Sequence, residues 1–350
     1  MKLVPMDYKK MPSMNSPLQS SFWAAVKRGS GWKPYAFTIE MEGWTSSVLV
    51  LVKRLFPFSS LAYIPFGPDV FHNPLPSITE FLASLSKELK KALPRSVFSI
   101  RYDLPWDEVN DPNVMFLSSG RFFTAKESVQ PDGTVRIALQ WGFNAVTLGY
   151  RDRAKRALRK SAPIHQVELW DGELSSFKQW YETYLETARR DGFTPRSEKY
   201  LKALLALDGK VHGDVACKLI VAKEDKAKTI VGGLILLMSS VEAVYLYGSA
   251  LRKDGVSCSY ILQDFAIRMA CEYGCQFYDM HGIPGPKGRG GHLANLELFK
   301  LSFGGQSYYR IPTTDYVLHF FRWKTYTVME HFRYRMNRKN KPQEGILPRS

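Results

Sequence analysis

Apolar and polar positions along the chain follow two periods, and together they predict a mixture of helices and strands. Runs rich in β-branched and aromatic residues predict strands. Two such runs, 215–224 and 229–238, flank a polar turn and predict a β-hairpin. Other segments repeat apolar residues every three to four positions, which is the spacing of an amphipathic helix. The predicted helices are 22–26, 78–93, 173–193, 197–207, 259–274 and the stretch from 319 onward. The fold class is therefore α+β.

The order of these elements occurs twice, although the sequence itself shows no clear repeat. A helix, three strands, a helix and a strand fill the first part of the chain. After about residue 151, helices, a hairpin, a strand, a helix and a strand follow in a similar order. We therefore predict two domains, 1–149 and 150–318, with 319–350 completing the first.

Positive charge is the strongest compositional signal. The 350 residues include 48 basic and 33 acidic ones, which gives a net charge of +15. Such an excess attracts polyanions, so nucleic acid, an anionic membrane surface and phosphorylated substrates are candidate partners. Much of the charge lies in a predicted helix within 151–160 and near the C-terminus, although solvated helix faces would explain either cluster alone. The candidate nucleic-acid contacts are Arg153, Arg156, Arg159, Lys160, Arg335 and Arg338.

Cysteine usage and the distribution of apolar residues favour a cytoplasmic protein. The N-terminal residues contain no apolar leader segment. The longest apolar run, 229–240, is too short to span a bilayer. The four cysteines are too few for a disulfide framework and are typical of buried thiols in a reducing compartment. No His or Cys pair completes a zinc set, so we predict no metal site.

The segment Arg252-Lys-Asp-Gly255-Val-Ser257 lies between a predicted strand and a predicted helix. It resembles the R/Q-x-x-G-x-G/A turn of acyl-CoA N-acyltransferases, in which backbone N–H groups hold a pyrophosphate. Ser257 stands where that turn has Gly or Ala, and an ordinary start of a helix explains the segment as well. The surrounding order of elements indicates the N-acyltransferase (GNAT) fold, used twice.

Nine segments, in order and from about Gln19 to Phe320, carry a more specific resemblance. They are QSSFWAAVKRGSGW, YIPFGP, IRYDLPW, QPDGTVRIAL, RDRAKRALRK, FTPRSEKYLKAL, YLYGSA, YDMHGIPG and NLELFKLSFGG. The chain resembles the Fem family of bacterial aminoacyl-tRNA-dependent peptidyltransferases, and most of all its FemX-type members. The resemblance implies two tandem GNAT-like domains. The sequence contains no pair of long helices with a heptad pattern, so we predict no coiled-coil arm.

The resemblance implies that Phe299 and Lys300 lie at an acyl-transfer site. An ammonium group there would stabilise the negative charge on the carbonyl oxygen of an aminoacyl ester, or neutralise tRNA phosphates. The alternative is a strand whose lysine points to solvent. We expect Gly304 and Gly305 to let the backbone pass close to a ligand.

The resemblance also implies further contacts in a substrate cleft. Asp103 would position the attacking amine or accept its proton, and pairing with Arg101 is the structural alternative. The implied ligands of a nucleotide-sugar pentapeptide are Lys27, Thr194, Arg196, Tyr200 and Tyr247. Tyr245 is the rival to Tyr247, and helix packing is the alternative for Tyr200.

The implied reaction moves an amino acid from aminoacyl-tRNA to the side-chain amine of the peptidoglycan stem peptide. The acceptor would be UDP-MurNAc-pentapeptide or lipid II. We expect no metal or organic cofactor, a monomer, and a peripheral contact with the inner membrane leaflet as one use of the positive charge. The rival functions are acyl-CoA-dependent N-acyl transfer and RNA binding without catalysis.

Overall fold

The computed structural model describes the chain from residue 1 to 339, except for 13, 71–76, 108–119, 127, 214, 254 and 287–292. At 253, 294, 295 and 334–339 it describes the backbone alone. The helices are α1 (Ser21–Gly29), α2 (Ile78–Ala92), α3 (Gly142–Leu148), α4 (Asp152–Ser161), α5 (Leu174–Asp191), α6 (Glu198–Leu205), α7 (Ser259–Tyr273), α8 (Ala294–Leu301) and α9 (Phe320–Lys339), with a 3-10 turn at Tyr8–Lys10.

Most strands belong to one of two sheets. The first sheet is formed by β1 (Lys2–Met6), β2 (Lys33–Met41), β3 (Trp44–Phe56), β4 (Ser59–Ile64), β5 (Val97–Tyr102), β6 (Phe122–Thr124) and β16 (Thr314–Val317). The second is formed by β7 (Gly133–Ala138), β8 (His165–Leu169), β9 (Ala216–Glu224), β10 (Ile230–Met238), β11 (Glu242–Ala250), β14 (Phe277–Asp279) and β15 (Gln306–Tyr309). Two short strands, β12 (Arg252–Lys253) and β13 (Val256–Ser257), pair with each other.

The strand orders show where the chain crosses between the sheets. The first sheet runs β1-β2-β3-β4-β5-β16-β6, and the second runs β15-β7-β14-β11-β10-β9-β8. Each sheet is mainly antiparallel and has one parallel pair, β4 with β5 and β11 with β14. Strand β7 therefore pairs in the second sheet, and β16 returns to the first. The domain limits 149/150 and 318/319 stay a prediction, since sheet pairing alone does not define where a domain ends.

Local signals explain where several helices begin and end. The side chain of Ser20 accepts a hydrogen bond from the Trp23 amide and caps α1. Gly192 and Gly274 have φ values of 68° and 90° and end α5 and α7 in the left-handed conformation that favours glycine. The predicted helices and the predicted hairpin of β9 and β10 are confirmed at these places.

Three large apolar cores fix the two sheets relative to the helices. One lies under α2 on the first sheet, and another lies between α7 and the second sheet. The third joins the halves, because it contains Trp23 of α1, Leu51 of β3, Trp180 of α5 and Ile235 of β10. Burial of each such side chain stabilises the fold by about 2 kcal/mol. The shared core therefore holds α1 beside the second half of the chain.

Candidate active site

Lys300 lies in the last turn of α8 and is only 4% exposed. Its Nζ donates hydrogen bonds to the carbonyl oxygens of His281 and Gly282, the latter at 2.6 Å. Burial lowers the pKa of Lys300 to about 7, and the carboxylate of Asp279 partly opposes this shift. The alternative of a solvent-facing strand lysine is therefore wrong, because the segment is a helix and the ammonium points inward.

Phe299 belongs to an aromatic group beside Lys300. Its ring meets the Tyr260 ring edge to face at a centroid distance of 4.8 Å, and the Phe303 ring at 5.5 Å. On the other side, Lys300 Nζ lies 6.0 Å from the centre of the Tyr245 ring. These rings exclude water from the surroundings of the ammonium, which strengthens its interaction with any anion that reaches it.

A buried ion pair supports the loop that Lys300 holds. Asp279 accepts hydrogen bonds from Thr134 Oγ1 at 2.6 Å, from the His281 amide at 2.7 Å and from the Arg310 guanidinium. Burial lowers the pKa of His281 to about 4, so its imidazole is neutral at pH 7. Its Nδ1 is buried and has no hydrogen-bond partner among the described residues. Sequence reasoning missed Asp279 and Arg310, which are 31 residues apart.

Asp103 is a buried carboxylate at the end of β5. The hydroxyls of Tyr63 and Thr313 donate hydrogen bonds to its two oxygens. Burial raises the pKa of Asp103 to about 6, although these hydrogen bonds oppose the shift. Asp103 thus changes protonation near neutral pH, which suits a group that accepts a proton.

Asp103 does not pair with Arg101, so that form of a structural role is wrong. Arg101 donates instead to Asp315 at 2.7 Å and to Glu330 at 2.7 Å, and all three side chains are buried. Residues two apart on a regular strand share a face, but β5 ends at Tyr102. Asp103 lies beyond that end and its side chain contacts a different set of residues.

Segment 130–133 connects the surroundings of Asp103 with those of Lys300. Gln130 Nε2 lies 3.3 Å from the hydroxyl of Tyr63, which bonds to Asp103. A Cβ placed on Gly282 would stand 3.6 Å from both Pro131 Cγ and Lys300 Nζ. Gln130 and Pro131 therefore connect the hydrogen-bond partners of Asp103 with the loop that Lys300 holds.

A separate group of cations lies along α1 and the loop before α6. Lys27 Nζ lies 4.4 Å from the centre of the Trp23 ring and 6.0 Å from that of Tyr200, and Arg196 lies 5.9 Å from the latter. Burial and, to a smaller extent, the neighbouring cations Arg196 and Lys53 together lower the pKa of Lys27 to about 8. No carboxylate of the described residues forms an ion pair with Lys27, Arg196 or Lys53.

Lys53 is a member of this group that sequence reasoning missed. Its Nζ lies 5.3 Å from the centre of the Trp32 ring, and that ring lies 6.0 Å from the ring of Tyr63. Trp32 and Tyr63 thus connect the cations with the carboxylate of Asp103. Thr194 is exposed on the loop that carries Arg196.

Tyr245 and Tyr247 do not compete for one position. A register shift in the pairing of β10 with β11 sets Ile235 opposite Tyr247 and Leu236 opposite Tyr245. The bulge at Leu246 breaks the alternation of the strand. Tyr247 packs against Tyr200, with ring centres 6.4 Å apart, whereas Tyr245 lies beside Lys300.

The basic helix α4 lies next to the aromatic group of Lys300. Arg153 Nε donates to the hydroxyl of Tyr260 at 2.9 Å, and Tyr260 packs on Phe299. The side chains of Arg153, Arg156, Arg159 and Lys160 are all exposed. Those of Arg335 and Arg338, on α9, lie outside the described residues.

Gly304 and Gly305 make close approaches to the chain itself rather than to an open cleft, which corrects our expectation. A Cβ on Gly304 would stand 2.5 Å from the carbonyl oxygen of Gly149. A Cβ on Gly305 would stand 2.6 Å from Val135 of β7. Both glycines let the turn after α8 pack tightly against the second sheet.

The described part of the chain contains neither a membrane-spanning helix nor a metal-binding cluster. No described helix is both long and apolar enough to cross a membrane. Within the described ranges, no group of three or more His, Cys, Asp or Glu side chains is arranged to bind a metal ion.

Comparison with known proteins places the fold. No sequence profile of a protein family matches the chain, and no curated protein sequence matches it. The crystal structure of FemX superimposes with a TM-score of 0.73 over 94% of this chain and 100% of that chain, at 18% identity. The chain has the FemX fold.

Two other structures share the FemX fold more distantly. One is a tandem GNAT protein from the clavulanic acid biosynthesis pathway, with a TM-score of 0.50, 11% identity and coverage of 90% and 97% of the two chains. The other is the C-terminal domain of a protein assigned as a lysylphosphatidylglycerol synthetase from Agrobacterium fabrum, with a TM-score of 0.51, 12% identity and coverage of 94% and 95%. The predicted class of two GNAT-like units is confirmed.

Proposed function

We propose that the protein is a cytoplasmic, monomeric aminoacyltransferase that moves an amino acid from aminoacyl-tRNA to the side-chain amine of a peptidoglycan precursor. The FemX fold supports acyl transfer as the reaction class. One observation carries the finer proposal, namely that Gln130 and Pro131 connect the hydrogen-bond partners of the buried carboxylate of Asp103 with the loop that the buried ammonium of Lys300 holds. No metal or organic cofactor takes part in the proposed reaction.

Lys300 would act where negative charge develops. The acceptor nitrogen attacks the ester carbonyl, a C–N bond forms, and the C–O bond to the tRNA ribose breaks. Lys300 Nζ donates to two backbone carbonyls, and its third N–H, which has no acceptor among the described residues, would donate to the oxyanion. A fixed donor in a water-poor site stabilises such a transition state.

Asp103 would accept the proton that the attacking amine loses. The ribose oxygen of the leaving tRNA takes up a proton, so the step is balanced without a further reactant. The raised pKa of Asp103, about 6, matches this role at neutral pH. The hydroxyls of Tyr63 and Thr313 would hold its carboxylate in position.

The group of Lys27, Arg196 and Lys53 would bind the diphosphate of the acceptor. Three cations that form no ion pair with a described carboxylate repel one another, and an anion between them removes that repulsion. Tyr200 and Tyr247 form the apolar wall beside them, and Thr194 lies on the same loop as Arg196. UDP-MurNAc-pentapeptide and lipid II both offer this diphosphate.

The exposed cations of α4 would contact the acceptor end of tRNA. Arg153 reaches Tyr260, which packs on Phe299, so this helix leads directly toward Lys300. Phosphate contacts of this kind position a nucleic acid without reading its sequence. Arg335 and Arg338 remain proposed additional contacts from α9.

Acyl transfer from an acyl-CoA is the second candidate, and one observation favours it. Strands β12 and β13 pair with each other directly before α7, and Gly255 between them has a φ of 75°. This places a turn at the N-terminus of a helix, where pyrophosphate binds well. The net charge of +15 exceeds what such a donor requires, which favours tRNA.

Mass spectrometry of UDP-MurNAc-pentapeptide, incubated with the protein and a pool of charged tRNAs, tests the proposal. We expect a mass gain of one amino-acid residue, lost in Lys300→Met and kept in Lys228→Met, an exposed lysine elsewhere. A parallel reaction contains acetyl-CoA, and another contains lipid II.

The outcomes separate the candidates. An acetyl gain without an aminoacyl gain would replace the proposal with the acyl-CoA reaction. No product from any donor with either acceptor, together with tRNA binding, would favour an RNA-binding protein without catalysis.

A further inference from the structure

The last described helix, α9, has one buried face. Trp323, Tyr326 and Glu330 are between 6% and 8% exposed and pack against the first sheet. Glu330 bonds to Arg101 and to the Tyr326 hydroxyl. These three residues point in one direction on the helix, since each residue turns by about 100°.

The opposite face of α9 is also apolar. Phe321 is 86% exposed, Val328 42%, Met329 48% and Phe332 59%. Positions i, i+7, i+8 and i+11 lie along one side of a helix, so these four residues form a stripe about 17 Å long. We call it the outer stripe. A helix with apolar residues on both faces needs a second apolar environment.

The turn between β3 and β4 extends this surface. Arg322, on α9, donates to the carbonyl oxygen of Phe58 at 2.8 Å and so fixes the turn beside the helix. Phe58 is 78% exposed and has a φ of 59°. This conformation is unfavourable for a bulky residue, and a glycine or asparagine would fit it better. An exposed phenylalanine here therefore adds apolar surface at the expense of stability.

The exposed charged side chains of α9, as far as the structure describes them, are all positive. Arg322, Lys324 and Arg333 are exposed. Glu330 is the only acid in the sequence of α9, and it points inward to Arg101. Partial burial and then the cations Arg322, Lys90 and Arg121 lower the pKa of His319 just before the helix.

We propose that the outer stripe and Phe58 dock on a bilayer that contains anionic phospholipid, with α9 parallel to the membrane plane. Aromatic and aliphatic side chains enter the interface, and the flanking cations meet the lipid phosphates. RNA would satisfy the cations and could stack on Phe321, Phe332 and Phe58, but it would leave the aliphatic side chains of Val328 and Met329 without an apolar environment, whereas a bilayer interface buries all five. The proposal is independent of the acyl-transfer reaction.

Vesicle sedimentation of the full-length chain tests this surface. The probes are phosphatidylcholine vesicles with and without about one third phosphatidylglycerol. We expect binding to the anionic vesicles to be at least about tenfold tighter. Phe321→Ser combined with Phe332→Ser, Phe58→Asn, and Lys324→Glu should each weaken it by about fivefold or more. Leu148→Ser, which alters an 81% exposed apolar residue on α3, should leave it unchanged.

Thermal melting checks that each variant is folded. Equal affinity for both vesicles, no affinity for either, or no effect of the α9 variants would overturn the proposal. A loss of tRNA retention in these variants with unchanged vesicle binding would assign the surface to RNA. A dimer that the Phe321→Ser, Phe332→Ser variant dissociates would assign it to a second copy of the chain.

Discussion

Lys300 Nζ lies 2.6 Å from the carbonyl oxygen of Gly282, a residue 18 positions earlier in the chain. This contact fixes the ammonium against a loop rather than against a carboxylate. The site therefore contains a cation that burial alone brings close to losing its proton at neutral pH.

Replacement of Lys300 should lower the rate of the proposed transfer. Lys300→Met removes the charge, and we expect kcat to fall by about 10²–10³ with a small change in KM, as for loss of an oxyanion donor. The protonated amine is the active form, so wild-type kcat/KM should fall as pH rises through about 7. Lys300→Arg keeps its proton and should move this decline to higher pH. A pH-independent ratio of Lys300→Arg to wild type would contradict this role.

Asp103 should determine how kcat/KM changes with pH on the acid side of the optimum. Its carboxylate form accepts the proton, so kcat/KM should rise as pH rises through about 6. Asp103→Asn should lower kcat by about 10²–10⁴ and remove this rise. The acceptor amine also titrates, but its contribution cancels in the ratio of variant to wild-type rates. A variant that keeps the full rise would assign Asp103 to structure alone.

Lys53 should contribute to binding of the acceptor rather than to chemistry. Lys53→Ala removes one of the three cations in the group of Lys27, Arg196 and Lys53, and we expect KM for UDP-MurNAc-pentapeptide to rise about tenfold with kcat nearly unchanged. Lys33→Ala is the matched control, since Lys33 Nζ also lies 5.3 Å from an aromatic ring, that of Tyr35. Steady-state kinetics at several salt concentrations measures both. An equal effect of the two substitutions would remove Lys53 from the site.

Arg101 should be essential for stability because it neutralises two buried acids. Arg101→Met leaves Asp315 and Glu330 buried without their cation, and we expect a loss of about 3–5 kcal/mol in the free energy of unfolding. The exposed pair of Lys2 and Glu40 is the comparison, and Lys2→Ala should cost less than about 1 kcal/mol. Urea denaturation measures both, and similar losses would contradict the assignment.

Gly304 should not tolerate a side chain. Gly304→Ala places a Cβ 2.5 Å from the carbonyl oxygen of Gly149 at a φ of 79°, and we expect a loss of about 2–3 kcal/mol. Gly172→Ala has a similar φ of 87° but no atom within 4 Å of its Cβ, so it should cost only about 1 kcal/mol. Thermal melting measures both losses of stability, and the difference between them gives the cost of the steric clash at Gly304.

Local sequence patterns were sufficient to predict where several helices end, but they did not predict which strands pair. Ser20, Gly192 and Gly274 mark helix ends by their own chemistry, and the structure confirms them. The apolar run around Lys300 fits the spacing of a helix and that of a strand, and only its packing in the structure shows that it is a helix. The sheet that β7 joins depends on partners far along the chain.

In the candidate site, too, local motifs identify some residues, and long-range pairing brings in the others. Lys27, Arg196 and Tyr200 lie together, as the resemblance implies. Lys53 belongs to no motif, and its place beside Trp32 follows from the pairing of β3 with its neighbours. The pair of Asp279 and Arg310 escaped notice because nothing in either segment predicts contact with the other. The roles of all these residues stay predictions.

The position of β16 in the first sheet has a consequence for synthesis on the ribosome. Among the described strands, β6 pairs with β16 alone, and Asp103 needs the hydroxyl of Thr313, immediately before that strand. The ribosome must therefore translate residues 313–317 before the first sheet and the pocket around Asp103 can be completed. By then it has already translated every strand of the second sheet.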